Sequence, residues 1–265
     1  MEVLLPTSAL HDDIAVMKLL SQLGPEVKVK VYGFTIELFD RRITPVITWN
    51  QTWKFIQERH RLTCHWLNFN QYFEDNTDKI NVMVTITHPS ESEPGVVMDD
   101  TNLTAFSVGI FQGTAGYIAA TCGREFASKI QQEKFGVEKV QLKIGLLARC
   151  LMINYLLQQG VGEIYNDAAA EGLVKYYSSL GFRLGKENCN KVDPITELHN
   201  KYIIEGKSLD DLLKELPADY KNIYGYRMKL CSNTDPICLG AIASLRDFQR
   251  ILELYNDVYW YGAVW

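Results

Sequence analysis

Residues 171–182 read EGLVKYYSSLGF, and this short stretch decides the fold of the chain. Four of its large residues recur at steps of three and four and so share one face of a helix: Leu173, Tyr176, Tyr177 and Leu180. Gly181 follows at the place where a helix needs a left-handed residue in order to end. Phe182 then begins a segment of alternating apolar residues, which indicates a strand.

The segments around this helix alternate between strand and helix patterns. An antiparallel meander is predicted before it, from three strands: Ile80–Thr87, Thr104–Gln112 and Ala115–Cys122. A strong helix over Lys143–Gln159, a strand over Gly162–Asn166, the helix Ala169–Leu180 and a final strand over Tyr224–Cys231 follow. The sequence therefore predicts the α/β (α+β) class, with a mixed, mostly antiparallel central sheet, one parallel join and flanking helices.

The two ends of the chain carry further predicted elements. The N-terminal elements are a helix over His11–Leu23, a strand over Val27–Phe39 that bends at Gly33, and one or two helices within Thr52–Phe73. Helices are also predicted over Arg124–Lys134, Thr196–Glu215 and, at the C-terminus, Leu239–Tyr259. No Gly/Ser linker interrupts these elements, so we predict a single domain over 1–265, with a core of about 80–231 and additions at 1–75 and 239–265.

Composition and charge exclude several classes of function. The 265 residues carry a formal charge of −5 with dispersed Lys and Arg, so we predict no nucleic-acid partner. Residues 1–13 lack the pattern of a signal peptide, and the most apolar stretch, Ile144–Val161, is too polar to span a membrane. The six cysteines are scattered and form no CxxC pair, so we predict no metal site, reduced thiols and a cytoplasmic location.

The helix that ends at Gly181-Phe182 resembles the C-terminal half of the GCN5-related N-acetyltransferase (GNAT) superfamily. In that family, a helix with a tyrosine four residues before a Gly-Phe pair lies beside the thioester of acyl-coenzyme A. The resemblance covers about Ile80–Phe182 and adds Tyr224–Cys231 as a closing strand. It implies a GNAT-like fold, acetyl-CoA or another acyl-CoA as cofactor, and direct transfer of the acyl group to a primary amine. An acyl carrier protein thioester is the alternative donor.

In this superfamily, a loop of pattern Arg/Gln-x-x-Gly-x-Gly/Ala leads into a long helix whose N-terminal N–H groups hold the pyrophosphate of coenzyme A. The matching stretch here, residues 140–148, reads VQLKIGLLA. The last small residue of the pattern is either Gly145 or Ala148, and the spacing from Gly145 to Gly160 favours the first register. The resemblance thus implies six cofactor-binding residues: Lys143, Ile144, Gly145, Leu146, Leu147 and Ala148.

The resemblance also implies roles at the thioester. Tyr177 matches the family position whose hydroxyl lies near the coenzyme sulfur, where it would protonate the leaving thiolate. The family often has an asparagine seven residues before this tyrosine. That position is Ala170 here, and Asn166, four residues earlier, is the candidate cofactor contact.

The general base that takes the proton of the acceptor amine varies in position across the family. Glu125 follows the last strand of the meander and is our catalytic candidate. Other candidates lie on or after the central strands: Asp99, Asp100, His88 and Glu163.

The sequence leaves the acceptor and the protein partners open. The acceptor amine belongs to a small molecule, a peptide or a protein lysine. Residues 255–265 contain five aromatic side chains, so this tail caps the core, forms a homodimer interface or lines a pocket for an apolar acyl chain. The single-glycine loop and the missing asparagine also fit a second class, a non-catalytic GNAT-like fold that serves in protein interaction.

Overall fold

A computed structural model describes residues 2–4, 12–60, 78–88, 102–123, 143–184, 205, 211, 214–216, 221–222, 225–231 and 234–254. The chain forms two compact units, each assembled from separate stretches. Unit 1 comprises Met1–Ile110, Ala120–Tyr155 and Ile237–Trp265, and unit 2 comprises Phe111–Ala119 and Leu156–Pro236. The unit boundaries fall inside two strands and two helices, so the chain runs through both units without a linker.

Unit 1 contains six of the described strands, two of them in part. Its strands, in chain order, are β1 (Glu2–Leu4), β2 (Lys28–Val31), β3 (Phe34–Asp40), β4 (Val82–His88), β5 (Asn102–Gln112) and β6 (Ala115–Gly123). Only the part of β5 up to Ile110 and the part of β6 from Ala120 onward belong to unit 1. These strands are hydrogen-bonded to one another in the same order. Strands β1 and β2 are parallel, whereas the pairs β2–β3, β3–β4 and β4–β5 are antiparallel. All seven residues of β4 are buried, and the strand lies inside the sheet between β3 and β5. The predicted meander is therefore confirmed.

The segment predicted as one bent strand over Val27–Phe39 is a β-hairpin instead. Strands β2 and β3 pair antiparallel up to Val31 and Phe34. The two residues between them, Tyr32 and Gly33, both have positive φ angles, 51° and 78°. Two positive φ angles reverse the chain in a tight hairpin turn, whereas a bulge would only bend it.

Among the described residues, unit 1 also holds all or most of four helices, two of which extend into unit 2. They are α1 (Asp13–Leu20), α2 (Val46–Arg59), α3 (Ile144–Gln158, to Tyr155) and α5 (Asp235–Leu254, from Ile237). The Asp12 side chain accepts the N–H groups of Ile14 and Ala15 and so caps α1.

Helix α5 is integral to the core of unit 1 although the sequence placed it among the additions. Phe248 is fully buried, with its ring centroid 5.7 Å from that of Phe34 and 6.0 Å from that of His88. Arg246 donates to the Asp13 carboxylate at 2.6 Å and ties α5 to α1. These contacts join the end of the chain to its beginning.

Unit 2 contains the parallel join and the strands beyond it. After the first part of β6 come β7 (Glu163–Ala168), α4 (Glu171–Ser179), β8 (Phe182–Leu184), β9 (Lys221–Asn222) and β10 (Gly225–Leu230). Strand β7 is parallel to β6, and β10 lies antiparallel between β7 and β8, with β9 beside β10. The prediction of an α/β fold with a mixed, mostly antiparallel sheet and one central parallel join is thus confirmed.

The prediction of reduced thiols is wrong for part of the chain. Cys150 of α3 is disulfide-bonded to Cys238 of α5, and Cys122 and Cys231 are also disulfide-bonded. The pairing was not predictable because 88 residues separate Cys150 from Cys238 and only the fold brings the two helices together. The cytoplasmic prediction thereby loses the observation on which it rested. Among the described helices, none has the length and apolarity needed to cross a membrane.

Candidate functional site

The stretch 171–182 forms the predicted helix, turn and strand. Helix α4 ends at Ser179, and Gly181 has a φ angle of 89°. A side chain is strained in this left-handed conformation, so the glycine is required. The buried face of α4 is formed by Val174 and Leu180, which are 0% and 6% exposed.

The two tyrosines of α4 differ in environment. Tyr176 is 44% exposed, whereas Leu180, which the sequence places on the same face, is 6% exposed. Tyr177 is half-buried, and its ring centroid lies 6.1 Å from that of Phe182 and 5.4 Å from that of Tyr176. Tyr177 is therefore held by β8 on one side and leaves part of its ring at the surface of unit 2.

The residues predicted to bind the pyrophosphate lie together at the beginning of α3, in unit 1. Lys143 is the exposed residue before the helix, and its carbonyl oxygen accepts the N–H of Leu147 at 3.0 Å. Gly145 and Leu146 are half-buried, whereas Ile144, Leu147 and Ala148 are at most 1% exposed. The first-turn N–H groups have no partner within a helix and carry partial positive charge. Both candidate small residues, Gly145 and Ala148, lie in the first two turns of α3.

Gly145 packs closely against the end of β6. A Cβ atom added to Gly145 would lie 3.1 Å from the N atom and 3.2 Å from the Cα atom of Gly123. A Cβ atom added to Gly123 would lie only 2.6 Å from the Cα atom of Gly145. The two backbones therefore touch, and this contact fixes where α3 begins relative to β6. The sequence interpretation gave Gly145 a role in approaching phosphates and did not foresee this one.

One N–H group at the beginning of α3 is already used. The backbone N–H of Lys143 donates to the hydroxyl of Ser244 at 3.1 Å, and that hydroxyl donates to the carbonyl oxygen of Ala241 at 2.6 Å. Ser244 belongs to α5, so a residue outside the predicted core sits at the proposed phosphate end. No sequence signal indicated it.

Asn166 lies in the middle of β7, in unit 2. It pairs in register with Ile118 of β6 and Met228 of β10, and all three are at most 2% exposed. Neither Oδ1 nor Nδ2 of Asn166 has a hydrogen-bond partner in the part of the chain that the structure describes. A buried amide without partners costs on the order of 1–3 kcal/mol, so Asn166 is the least satisfied polar group of this strand.

The candidates for the general base are scattered. Glu125, Asp99 and Asp100 lie outside the described residues. His88 is 7% exposed and packs against Phe34 with ring centroids 4.7 Å apart, the environment of a core histidine. Glu163 accepts the hydroxyl of Tyr165 at 2.9 Å, and burial, followed by this hydrogen bond and the carboxylate charge, raises the pKa of Tyr165 to about 12.

A polar cluster on the same strand was missed by the sequence interpretation. The Asp167 carboxylate accepts two hydrogen bonds from Arg227, at 2.5 and 3.2 Å, and one from the Tyr117 hydroxyl at 3.0 Å. The alternation of Glu163, Tyr165 and Asp167 along β7 is the signal that could have revealed this polar face. In the described ranges, no group of three or more His, Cys, Asp or Glu side chains is arranged to hold a metal ion.

A second buried network lies in unit 1. The fully buried Asp40 carboxylate accepts the Tyr155 hydroxyl at 2.6 Å and three hydrogen bonds from the Arg42 guanidinium, two of them from Nε. Burial alone would raise the pKa of Asp40, but these hydrogen bonds outweigh it and hold that pKa below its usual value. The network anchors α3 to the end of β3 through Tyr155.

Several solved acetyltransferases resemble this chain. The ribosomal-protein-S18-alanine N-acetyltransferase from Escherichia coli shares 12% identity over 57% of this chain and 79% of its own, with a TM-score of 0.33. A GNAT-family acetyltransferase from Staphylococcus aureus Mu50 shares 12% identity over 74% of this chain and 98% of its own, with a TM-score of 0.35. N-acetylglutamate synthase from Neisseria gonorrhoeae, solved with coenzyme A and L-arginine, shares 11% identity over 77% of this chain and 34% of its own, with a TM-score of 0.36.

No protein-family model matches the chain, and no curated protein matches it. At such identities and TM-scores, these likenesses carry no argument about the family or the function of this chain. The described strands include a meander β4-β5-β6, the strand β7 parallel to β6, and β10 beside β7. This mixed sheet agrees with the α/β fold class that the resemblance at residues 171–182 implied.

Proposed function

We propose that the protein is an N-acyltransferase that moves an acetyl or longer acyl group from a thioester to a primary amine. The observation that carries the proposal is the beginning of α3. There, Lys143 is exposed beside a positively polarised helix end. The first turn of this helix contacts the end of β6 through Gly145 and Gly123. The end of α4, with Tyr177 half-buried before Gly181, supports the same function.

Each group has a proposed role in the transfer. Lys143 and the N–H groups from Ile144 to Leu146 would hold the pyrophosphate of coenzyme A, whose contribution is the acyl thioester. The amine nitrogen attacks the thioester carbonyl carbon, a C–N bond forms and the C–S bond breaks. Tyr177 donates its proton to the leaving sulfur, and Glu125 or a water molecule takes the proton from the amine. Asn166 remains the candidate for a polar cofactor contact.

The donor is tested by calorimetric titration and thermal unfolding with coenzyme A, acetyl-CoA, longer acyl-CoAs and acylated carrier protein. A donor at 100 times its dissociation constant adds about 2.7 kcal/mol of stability. That corresponds to a rise in melting temperature of roughly 5–10 °C for a chain of this size. Lys143→Gln should weaken coenzyme A binding about five- to tenfold and leave pantetheine, which lacks the pyrophosphate, unchanged. Lys18→Gln, on the exposed face of α1, is the charge-matched control.

The role of Tyr177 is tested by turnover of acetyl-CoA with a panel of amines that includes small amines, peptides and protein lysines. Tyr177→Phe should lower kcat about 100-fold and change donor affinity less than twofold, because a general acid acts in the transition state. Tyr176→Phe is the matched control, since the neighbouring ring is exposed. Equal turnover of both variants would mean that Tyr177 only packs against Phe182.

A protein-interaction module with a GNAT-type fold is the second candidate. Two contacts at the beginning of α3 favour it: Gly145 packs against Gly123, and the Lys143 N–H donates to Ser244. Each contact explains its residue by packing within the fold, without a bound cofactor. The absence of any thermal shift with every donor named above would select this candidate over the acyltransferase.

A further inference from the structure

Helix α5 is attached to the first turns of α3 at two points. The first is the hydrogen bond from the Lys143 N–H to the Ser244 hydroxyl, at 3.1 Å. The second is the disulfide bond between Cys150 and Cys238, whose Cα atoms are 5.8 Å apart. Ser244 is 8% exposed and each cysteine 2%, so both attachments lie inside unit 1.

The two attachments run in register along an antiparallel pair of helices. Cys150 follows Lys143 by seven residues, and Ser244 follows Cys238 by six, so the order is reversed between the helices. At about 1.5 Å of rise per residue, each helix spans roughly 10 Å between its two attachments. The disulfide therefore holds Ser244 opposite the Lys143 N–H, because α5 cannot slide or rotate along α3 while the bond is intact.

We propose that the Cys150–Cys238 bond is a redox-sensitive clamp that sets the geometry of the N-terminal end of α3. A dithiol reductant transfers two electrons and two protons to the bond. The S–S bond breaks, Cys150 and Cys238 become thiols, and the dithiol becomes a disulfide. Without the covalent link, α5 can separate locally from α3, and the Lys143 N–H loses Ser244 as its acceptor.

This proposal rests on the proposed function in one respect: if the end of α3 binds the pyrophosphate, the clamp controls donor affinity. The buried position of both sulfur atoms has a kinetic consequence. A reductant reaches them only when α5 opens, so reduction of the folded protein is slow and accelerates under conditions that loosen this helix. The clamp then responds to a sustained change of redox environment and not to a brief one.

The decisive measurement is hydrogen exchange at the Lys143 amide, with disulfide mapping by mass spectrometry before and after treatment with dithiothreitol. In the oxidised protein, Cys150 and Cys238 should be found joined and the Lys143 amide protected. Reduction, and separately the double variant Cys150→Ala/Cys238→Ala, should speed exchange at this amide at least tenfold. The double variant isolates this bond because it leaves Cys122 and Cys231 unchanged.

Two serine variants separate the clamp from a general loss of stability. Ser244→Ala should reproduce fast exchange at Lys143 in the oxidised protein, and Ser244→Thr, which keeps the hydroxyl, should restore protection. Ser179→Ala is the matched control, because the Ser179 hydroxyl also binds a carbonyl oxygen three residues earlier, that of Tyr176 at 2.7 Å, but contacts no second helix through it.

Donor binding provides an independent readout. The affinity for coenzyme A should fall at least tenfold on reduction and that for pantetheine should not change. Free Cys150 and Cys238 thiols in the protein purified without reductant, or equal Lys143 exchange in the oxidised, reduced and double-variant forms, would overturn the clamp. If the wild type binds no donor while exchange responds as expected, the clamp stands and the acyltransferase proposal fails.

Discussion

The contact between β6 and α3 is tested by Gly123→Ala. In the wild type, a Cβ atom on Gly123 would lie 2.6 Å from the Cα atom of Gly145, whereas non-bonded carbon atoms approach to about 3.5–4.0 Å. The obstructing atoms are backbone, so α3 must move by about 1 Å or β6 must bend. Overpacking of this kind costs about 1–3 kcal/mol, and we expect the upper end, about 3 kcal/mol. The melting temperature should then fall by roughly 6–12 °C.

The assay is urea and thermal unfolding of Gly123→Ala beside Gly145→Ala. The second variant meets the same neighbour at 3.1 and 3.2 Å, a gap that shifts of a few tenths of an ångström can relieve. Alanine is also the better helix former, so Gly145→Ala should stay within about 1 kcal/mol of the wild type. The reasoning is refuted if Gly123→Ala has the same melting temperature as the wild type, or if Gly145→Ala lowers the free energy of unfolding more than Gly123→Ala does.

Three further outcomes are expected. Tyr155→Phe should lower the free energy of unfolding by about 1.5–3 kcal/mol in urea titrations, because a hydrogen bond of 2.6 Å to the buried Asp40 carboxylate is lost; an unchanged midpoint would contradict this. Gly240→Ala should raise the free energy of unfolding by about 0.5–1 kcal/mol, since Gly240 lies within α5 with no atom within 4 Å of an added Cβ. A lower melting temperature than that of the wild type would show that the added methyl group is not accommodated. Tyr165 has a pKa raised from 10.0 to about 12, so its contribution to the free energy of unfolding is present below pH 10 and is lost as the pH rises towards 12. Between pH 9 and 12 the melting temperature should therefore fall less steeply for Tyr165→Phe than for the wild type. Parallel curves of melting temperature against pH would contradict this.

Local sequence was sufficient where a single residue type determines the conformation. Gly181 was predicted to end α4 because only a residue without a side chain adopts its φ angle of 89° without strain. The two-residue spacing of apolar side chains likewise predicted β4 and β5, since one strand face at least must be buried. The parallel join followed from the helix that separates β6 from β7, because parallel neighbours need such a crossover.

Local sequence was insufficient where the conformation of a residue depends on which other segment of the chain it contacts. The phase change at Gly33 fits both a bulge and a turn, and only the pairing of Val31 with Phe34 shows which of the two occurs. Tyr176 and Tyr177 have the same residue type on adjacent positions, and the neighbouring Phe182 ring decides that Tyr177 is the half-buried one. Asn166 matched no family position, and its burial between Ile118 and Met228 follows from strand register alone.

By itself, the sequence determined the order of the strands and helices from β4 to β8, the end of α4 and the position of Gly145 at the beginning of α3, because backbone geometry and side-chain periodicity are local properties. The tertiary structure decided what those residues do. Gly145 touches Gly123, Ser244 occupies the N–H of Lys143, and Cys150 is bonded to Cys238 across 88 residues. Contacts between segments so distant in the chain form only after the sheet has brought them together, so periodicity carries no trace of them.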